Sequence, residues 1–463
     1  MTRYERDSLG EKGLPDEAYF GIQTLRAMEN FPVSGTMEKP SFIKAYVMVK
    51  RAAALANMEL DELEEPRGKA IIQAADEVLE GNFMDQLKVD VFQAGAGTSF
   101  NMNINEVLAN RALELLGRPK GDYGYLSPND HVNRAQSTND TFPTASHLAI
   151  IHDADSLIMI LQDLASAFNQ KGDQFSGLPK SGRTHLMDAL PLTLGDEFSA
   201  YGSAISRAAE RIQQRRVDLL EIPIGGTAVG TGANAHPQYG DKVIHHLSRW
   251  TSLDLKPVRD SFEGLQSRSQ MGSFSSSLRE LSLELIRIAN DLRLLGSGPT
   301  TGFAEIRLPA VQSGSSIMAG KVNPVMAECL NMVAYQVLGN DTTVSMAVQA
   351  GQIDLNVMTP VMTYNILQSI SLLSNYLPIF QKKCVEGIEA NEEHLSSYIE
   401  LNPMFATLLA PRIGYLKAAE IAKEAHEKSI PVKELAVKKK VITKEEAEEL
   451  FDVERIARSL YRK

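Results

Sequence analysis

Apolar residues keep helical spacing over very long runs between about residues 140 and 390, and this periodicity constrains the chain more than any other feature. Leu278, Leu281, Leu285, Ile288, Leu292 and Leu295 recur at spacings of 3, 4, 3, 4 and 3, which lays them along one stripe of a helix as a seam for a neighbour. Segment 191–221 spaces its apolar residues among Arg207, Glu210, Arg211, Arg215, Arg216 and Asp218 and predicts another long amphipathic helix. Residues 324–350 and 358–388 repeat the pattern, with a kink expected at Pro378, because proline lacks the N–H that would close its turn. Helices of this length gain stability mainly from packing an apolar face. They fit a bundle whose seams are completed by other copies of the chain better than a monomeric bundle of cross-packed domains.

The flanking regions read differently. Residues 1–139 predict a separate, mainly helical domain, with an amphipathic helix over 41–60 after Pro40 and an interruption at Gly95-Ala96-Gly97. Residues 140–392 form the long-helix domain. Residues 393–463, rich in Lys and Glu, predict a small helical domain with a short helix after Ile430-Pro431-Val432 and another after Val441-Ile442-Thr443. The expectation is an all-α, three-domain chain. Its net charge of -11 argues against nucleic acid or an anionic membrane as main partner. Cys329 and Cys384 are the only cysteines, too few for a disulfide framework and without metal-ligand spacing, so buried thiols are expected. The adjacent pair His245-His246 reads as surface residues. The first residues carry no apolar signal core and no run approaches the length of a membrane span, so a cytoplasmic protein is expected.

Four polar stretches stand out against this helical background. Gln312-Ser313-Gly314-Ser315-Ser316-Ile317-Met318-Ala319-Gly320-Lys321-Val322-Asn323-Pro324 packs glycines, paired hydroxyls, a cation and an amide just before a long helix. By composition alone it is a Gly/Ser linker. Glycine, however, lets backbone N–H groups approach a ligand, and a helix start adds unpaired donors and a field that favours anions. Gly97-Thr98-Ser99-Phe100-Asn101-Met102-Asn103-Ile104-Asn105-Glu106 clusters amides that are costly to bury unless hydrogen-bonded. Capping a helix that begins near Asn101 accounts for one or two of them. Arg134-Ala135-Gln136-Ser137-Thr138-Asn139-Asp140 precedes a long helix, and holds one N-cap and a surplus that suits an anion. Gly182-Arg183-Thr184-His185-Leu186-Met187-Asp188 reads as a polar turn before another long helix, and His185 alone would be a structural histidine.

In order and spacing these stretches resemble the conserved regions of the fumarase/aspartase superfamily, and Gly314-Ser315-Ser316-x-Met318-x-x-Lys321-x-Asn323-Pro324 resembles its signature loop. The resemblance runs from about residue 5 to residue 450. Gly226-Thr227-Ala228-Val229-Gly230-Thr231-Gly232 is a further shared string, read as glycines that allow tight packing. Gly97-Thr98-Ser99 and Gln136-Ser137-Thr138-Asn139-Asp140 are more similar to aspartases than to fumarases, which commonly carry glutamine for Ser99 and serine for Thr138.

The resemblance implies an aspartase/fumarase-like fold with a tetrameric core and a carbon–nitrogen lyase that removes ammonia from L-aspartate to give fumarate. Thr98, Ser137, Thr138 and Thr184 would hold the β-carboxylate as it becomes an enediolate. Asn139 and His185 would orient the amine and the other carboxylate, and Lys321 and Asn323 would bind the α-carboxylate. Ser315 would be the base, with His185 and Lys321 as further catalytic groups. Ser316, Ser99 and Met318 would also line the substrate. It implies no organic cofactor, leaves activation by a divalent cation open, and places residues of three subunits of a homotetramer in each site. The partner is a small dicarboxylate or amino acid.

Four positions depart from the family pattern. Ala319 replaces a proline, Met187 a glutamine, Thr359 a residue commonly Glu or Lys, and Ala410 an asparagine. Fumarate hydratase, or a lyase for a substituted aspartate or larger amine, therefore stays beside the first reading. A non-catalytic homologue is disfavoured by the retained polar set. The Ala-Ser-Gly tripeptide of cofactor-built ammonia-lyases and a His-Glu-x-x-His metal motif are both absent.

Overall fold

The structure is a computed structural model that describes residues 2–457; Met1 and 458–463, the tail of the expected C-terminal domain, lie outside them. A hairpin of β1 (Thr2–Asp7) and β2 (Gly10–Pro15) opens the chain. Helices α1 (Ile22–Asn30), α2 (Pro40–Glu59), α3 (Glu65–Leu79), α4 (Thr98–Leu115) and α5 (Thr138–Gln174) follow. Next come the antiparallel pair β3 (Pro179–Thr184) and β4 (Met187–Thr193), then α6 (Leu194–Asp218). Strand β5 (Glu221–Ile222) pairs in parallel with β6 (Lys256–Pro257), around α7 (Tyr239–Thr251), and α8 (Glu263–Gln266) and α9 (Ser269–Leu295) come after them. Strand β7 (Ile306–Arg307) pairs with β8 (Glu389–Ala390), with α10 (Val325–Gln349) and α11 (Thr359–Lys383) between. Short helices α12 (Glu392–Ile399), α13 (Ala410–Ile413), α14 (Tyr415–Lys428), α15 (Val432–Lys438), α16 (Lys444–Leu450) and α17 (Val453–Ala457) end the described chain. No sheet among the described residues exceeds two strands. The protein is all-α.

The predicted helices appear where the periodicity placed them. Leu278, Leu281, Leu285, Ile288 and Leu292 on α9 are each at most 1% exposed, so the stripe is a packed seam. Pro40 starts α2 at its first turn, where its missing N–H costs nothing. Helix α11 continues through Pro378 to Lys383. Among the described residues no helix is long and apolar enough to cross a membrane.

Contacts divide the chain into two compact units: Met1–Ile158 with Glu210–Ser282 and Tyr335–Ser374, and Met159–Ala209 with Leu283–Ala334 and Asn375–Lys463. In the first, Phe42 and Tyr46 of α2, Phe100 of α4 and Phe142 of α5 form one aromatic core, with Phe42 to Phe142 ring centroids 4.8 Å apart. Burial of each such ring is worth roughly 1.5–3 kcal/mol, and the cluster sets the starts of α4 and α5 side by side. Gly97 is required for that approach. It has φ 88°, and a Cβ there would lie 2.0 Å from Phe142 Cδ2.

The second unit contains the C-terminal core of Phe405, Leu409, Ile421, Leu435 and Phe451. Thr443 caps α16 with a reciprocal bond from Glu446.

Three local expectations need correction. Segment 179–193 is a β-hairpin rather than a polar turn: Thr184 pairs with Met187 across His185 and Leu186, whose φ angles of 57° and 61° make a two-residue turn. His246 is buried rather than on the surface, stacked on Trp250 with Nε2 3.1 Å from Glu59 Oε1, while His245 is exposed. Cys384 is buried as expected, but Cys329 is only half-buried.

Candidate active site

In the first unit two helix starts meet at one cavity. Helix α4 begins at Thr98, directly after a tight turn in which Ala96 and Gly97 both take left-handed backbone. Helix α5 begins at Thr138, capped by Ser137, whose Oγ accepts the Asn139 N–H at 3.1 Å. The Ser137 N–H donates to Asp140 Oδ1 at 3.1 Å, so cap and carboxylate lock each other. A cavity of about 450 Å³ is lined by Thr98, Asn101, Ser137, Thr138, Asn139 and Thr227. Thr98 and Ser99 also line a neighbouring cavity of about 600 Å³. The first cavity thus gathers four of the expected residues, Thr98, Ser137, Thr138 and Asn139, at two helix N-termini, a placement that favours an anion.

Much of the surrounding polarity is framework. Thr138 Oγ1 accepts a bond from Asn101 Nδ2 at 2.9 Å, and Tyr46 donates to Asn101 Oδ1 at 3.1 Å. Asn103 bonds Lys88 N and Gln86 O, and Glu106 accepts from Gly21, Gln23 and Thr24. The amides after Gly97 therefore fasten α4 to its neighbours, which satisfies groups that would otherwise be costly to bury.

Asp140 is fully buried and is the pivot of the site. Its Oδ2 accepts the N–H groups of Gly225 at 3.1 Å and Thr227 at 2.9 Å, which clamps the Gly226–Gly232 loop onto α5. The same loop presents the Ala228 carbonyl to Asn139 Nδ2 at 2.8 Å, fixing that amide. Burial pushes the Asp140 carboxyl up to about 7, opposed by the Thr227, Ser137 and Gly225 N–H bonds and by Lys50.

Sequence reasoning missed two residues here. Lys50 is fully buried, with Nζ 2.9 Å from both Asn133 Oδ1 and Gln136 Oε1, and burial pushes its ammonium down to about 7. A lysine inside the apolar run Val47-Met48-Val49 to Ala52-Ala53-Ala54 was the available signal. Thr227 is the other: 4% exposed and in the cavity wall, its hydroxyl has no hydrogen-bond partner among the described residues. A ligand oxygen or a water would satisfy it.

The remaining expected residues belong to the second unit, and that cavity does not include them. Thr184 and His185 sit at the exposed tip of the β3–β4 hairpin, next to exposed Leu186 and Met187. Ser315, Ser316, Met318, Lys321 and Asn323 lie on the loop before α10. This loop is closed at its neck: Gly314 N donates to Lys321 O at 2.9 Å, and Asn323 Nδ2 donates to Gly314 O at 2.5 Å. Inside it, Ser315 Oγ accepts the N–H groups of Ile317 at 3.2 Å and Met318 at 2.9 Å. Ser316, Met318 and Lys321 are exposed.

A family model described as Lyase matches residues 10–339, and one described as Fumarase C C-terminus matches 405–458. The chain is 49% identical over 444 residues to an aspartate ammonia-lyase of Bacillus subtilis, covering 96% of this chain and 94% of that one. It is 45% identical over 446 residues to a class II fumarate hydratase of Thermosynechococcus vestitus, covering 96% of both. Among solved structures, a fumarate lyase:delta crystallin from Brucella melitensis bound to cobalt superposes with a TM-score of 0.95 at 47% identity, over 99% of this chain and 100% of that one. No group of three or more His, Cys, Asp or Glu able to hold a metal occurs among the described residues. With the Lyase model covering more than half of its length, the chain belongs to the fumarase/aspartase superfamily of lyases.

Proposed function

We propose that the protein is an aspartate ammonia-lyase, which eliminates ammonia from L-aspartate to give fumarate, reversibly and without an organic cofactor. The observation that carries this reading is the cavity where Thr98, Ser137 and Thr138 converge at the starts of α4 and α5. The Cβ–H beside a carboxylate is a very weak acid, and its removal requires preorganised donors for the enediolate that forms. Each donor of that kind is worth roughly 3–4 kcal/mol.

In the proposed anti elimination, Ser315 takes the Cβ proton and the electron pair moves into the β-carboxylate. The enediolate held by Thr98, Ser137, Thr138 and Thr184 then collapses to the double bond and expels ammonia from Cα. Asn139 and His185 orient the amine and the other carboxylate, while Lys321 and Asn323 hold the α-carboxylate; Ser99, Ser316 and Met318 complete the wall. A serine alkoxide is costly, and the two N–H groups that Ser315 Oγ accepts support it by favouring the charged form.

We further propose a homotetramer whose sites draw on three subunits. Helix α10 supports this. Its only charged residues are Glu328 and Asp341, of which Asp341 is buried, and Met332, Tyr335 and Met346 are 67%, 54% and 60% exposed. An uncharged exposed face along a 25-residue helix is what a subunit interface buries.

Fumarate hydratase is the second reading, favoured by the 45% identity to a class II enzyme. Met187 and Ala319 keep a substituted aspartate or larger amine in view. Absorbance of fumarate released from L-aspartate, L-malate and N-substituted aspartates separates them. Turnover of malate without aspartate would reject the first reading. Ser315→Ala should lower turnover by about 10³ or more, as loss of an activated group does, with circular dichroism and oligomeric state unchanged; near-normal turnover would refute the base.

A further inference from the structure

Thr227 stands in the wall of the cavity of about 450 Å³ with no task in the framework or in the proposed chemistry. It is 4% exposed, and its hydroxyl has no hydrogen-bond partner among the described residues. A buried hydroxyl of this kind has given up its bonds to water for nothing, which is a net cost to the fold.

The backbone beneath it is a second cost. Ala135, Thr227 and Asn234 of the cavity wall all take left-handed backbone, with φ angles of 61°, 55° and 66°. Of the three only threonine is β-branched, and a β-branched side chain crowds the backbone most in that conformation. Glycine would hold the same turn without strain. The loop leaves no slack: Asp140 Oδ2 accepts the Thr227 N–H at 2.9 Å, and Gly226 O accepts the N–H groups of Gly230 at 2.9 Å and Gly232 at 3.2 Å. Two costs at one cavity-lining residue point to a role in binding rather than in folding.

Its neighbour shows which end of a substrate it would meet. The Ala228 carbonyl holds Asn139 Nδ2 at 2.8 Å, and Asn139 orients the amine in the proposed elimination. An ammonium brings three donors and no acceptor, and a hydroxyl oxygen has lone pairs to receive one of them. Thr227 Oγ1 is covered as it stands, but one step about Cα–Cβ exchanges hydroxyl and methyl. An unbonded hydroxyl breaks no hydrogen bond in turning.

We propose that Thr227 is a substrate-binding residue whose hydroxyl accepts a hydrogen bond from the α-ammonium of the amino acid. The inference rests on the elimination proposed above. L-Aspartate and succinate, which differ by that ammonium, are the probes. Thr227→Val keeps the shape and removes the hydroxyl. It should lower kcat/KM for L-aspartate by about 10-fold or more, the scale of a lost bond to a charged group. The inhibition constant of succinate should not change, and the variant should unfold in urea no earlier than the wild type. Thr227→Ser, which retains the hydroxyl, should recover most of the loss. Thr227→Gly removes strain and hydroxyl together, so it should gain stability while losing turnover of L-aspartate.

If Thr227→Val does not fold, Thr227→Gly decides by the same two constants. Unchanged kcat/KM for L-aspartate, or an equal loss of succinate binding, overturns the contact with the ammonium alone. So does a Thr227→Val enzyme that is less stable with normal kinetics, which would assign the hydroxyl to a buried water. A wild-type enzyme that turns over no L-aspartate overturns the functional reading together with this inference.

Discussion

At the level of single residues, the site is organised by buried groups behind the cavity wall, Asp140 first among them. Asp140 receives three backbone N–H groups, from Ser137, Gly225 and Thr227. Asp140→Asn turns one acceptor into a donor against those N–H groups, and should cost about 1–3 kcal/mol in urea unfolding, with a fall in kcat as Ser137 and Asn139 lose their fixed positions. His147 offers a separate check of burial. Its Nδ1 lies 3.1 Å from Leu219 O and 3.0 Å from Glu221 O, and burial, helped by Arg268, pushes it down from 6.5 to about 4. The unfolded chain takes up this proton near pH 6.5 but the native one only near pH 4, so the unfolded state binds more protons between those values. Acid thus withdraws about 3 kcal/mol across that window. His147→Gln, which can still donate to a carbonyl, should show an acid limb shallower by one proton in denaturation at stepped pH. An unchanged slope would mean the native imidazole titrates normally.

For whole elements, local propensity explains the helices and fails at the hairpin. The seams of α6, α9, α10 and α11 were legible because a helix is built from bonds four residues apart and its buried face repeats every few positions. The β3 sequence Pro-Lys-Ser-Gly-Arg-Thr shows no such rhythm. Its inward groups are Lys180 and Ser181, satisfied only by Glu197, Glu305 and Asn402 from elsewhere in the unit. At its tip, His185 and Leu186 hold left-handed backbone without being glycine, a strain of roughly 1 kcal/mol or more per residue. Leu186 is 66% exposed, so little burial is lost by removing it. Leu186→Gly should therefore raise the melting free energy by about 1 kcal/mol while raising KM, because a freer tip presents Thr184 and His185 less rigidly. A variant that is stabilised with unchanged KM would argue that the tip does not grip substrate.

Across the molecule as a whole, the uncharged face of α10 remains the feature that one chain does not explain by itself. Tyr335→Arg places a charge on that face. In the proposed tetramer it should give smaller species by light scattering and lose activity with them, while the helical content of the subunit persists; an intact, active tetramer would move the interface elsewhere. The sequence alone determined the helical class, the positions of the long helices and the polar stations, because periodicity and motif spacing are properties of neighbouring residues. Only the tertiary structure decided which polar groups face a cavity and which are spent on the framework. Asn101 is committed to Thr138, 37 positions away, and Asn139 to Ala228, 89 positions away. The buried pairing of Lys180 and Arg183 with Glu305 was equally invisible. A buried polar group is stable only beside its partner, and the fold, not the spacing along the chain, selects that partner.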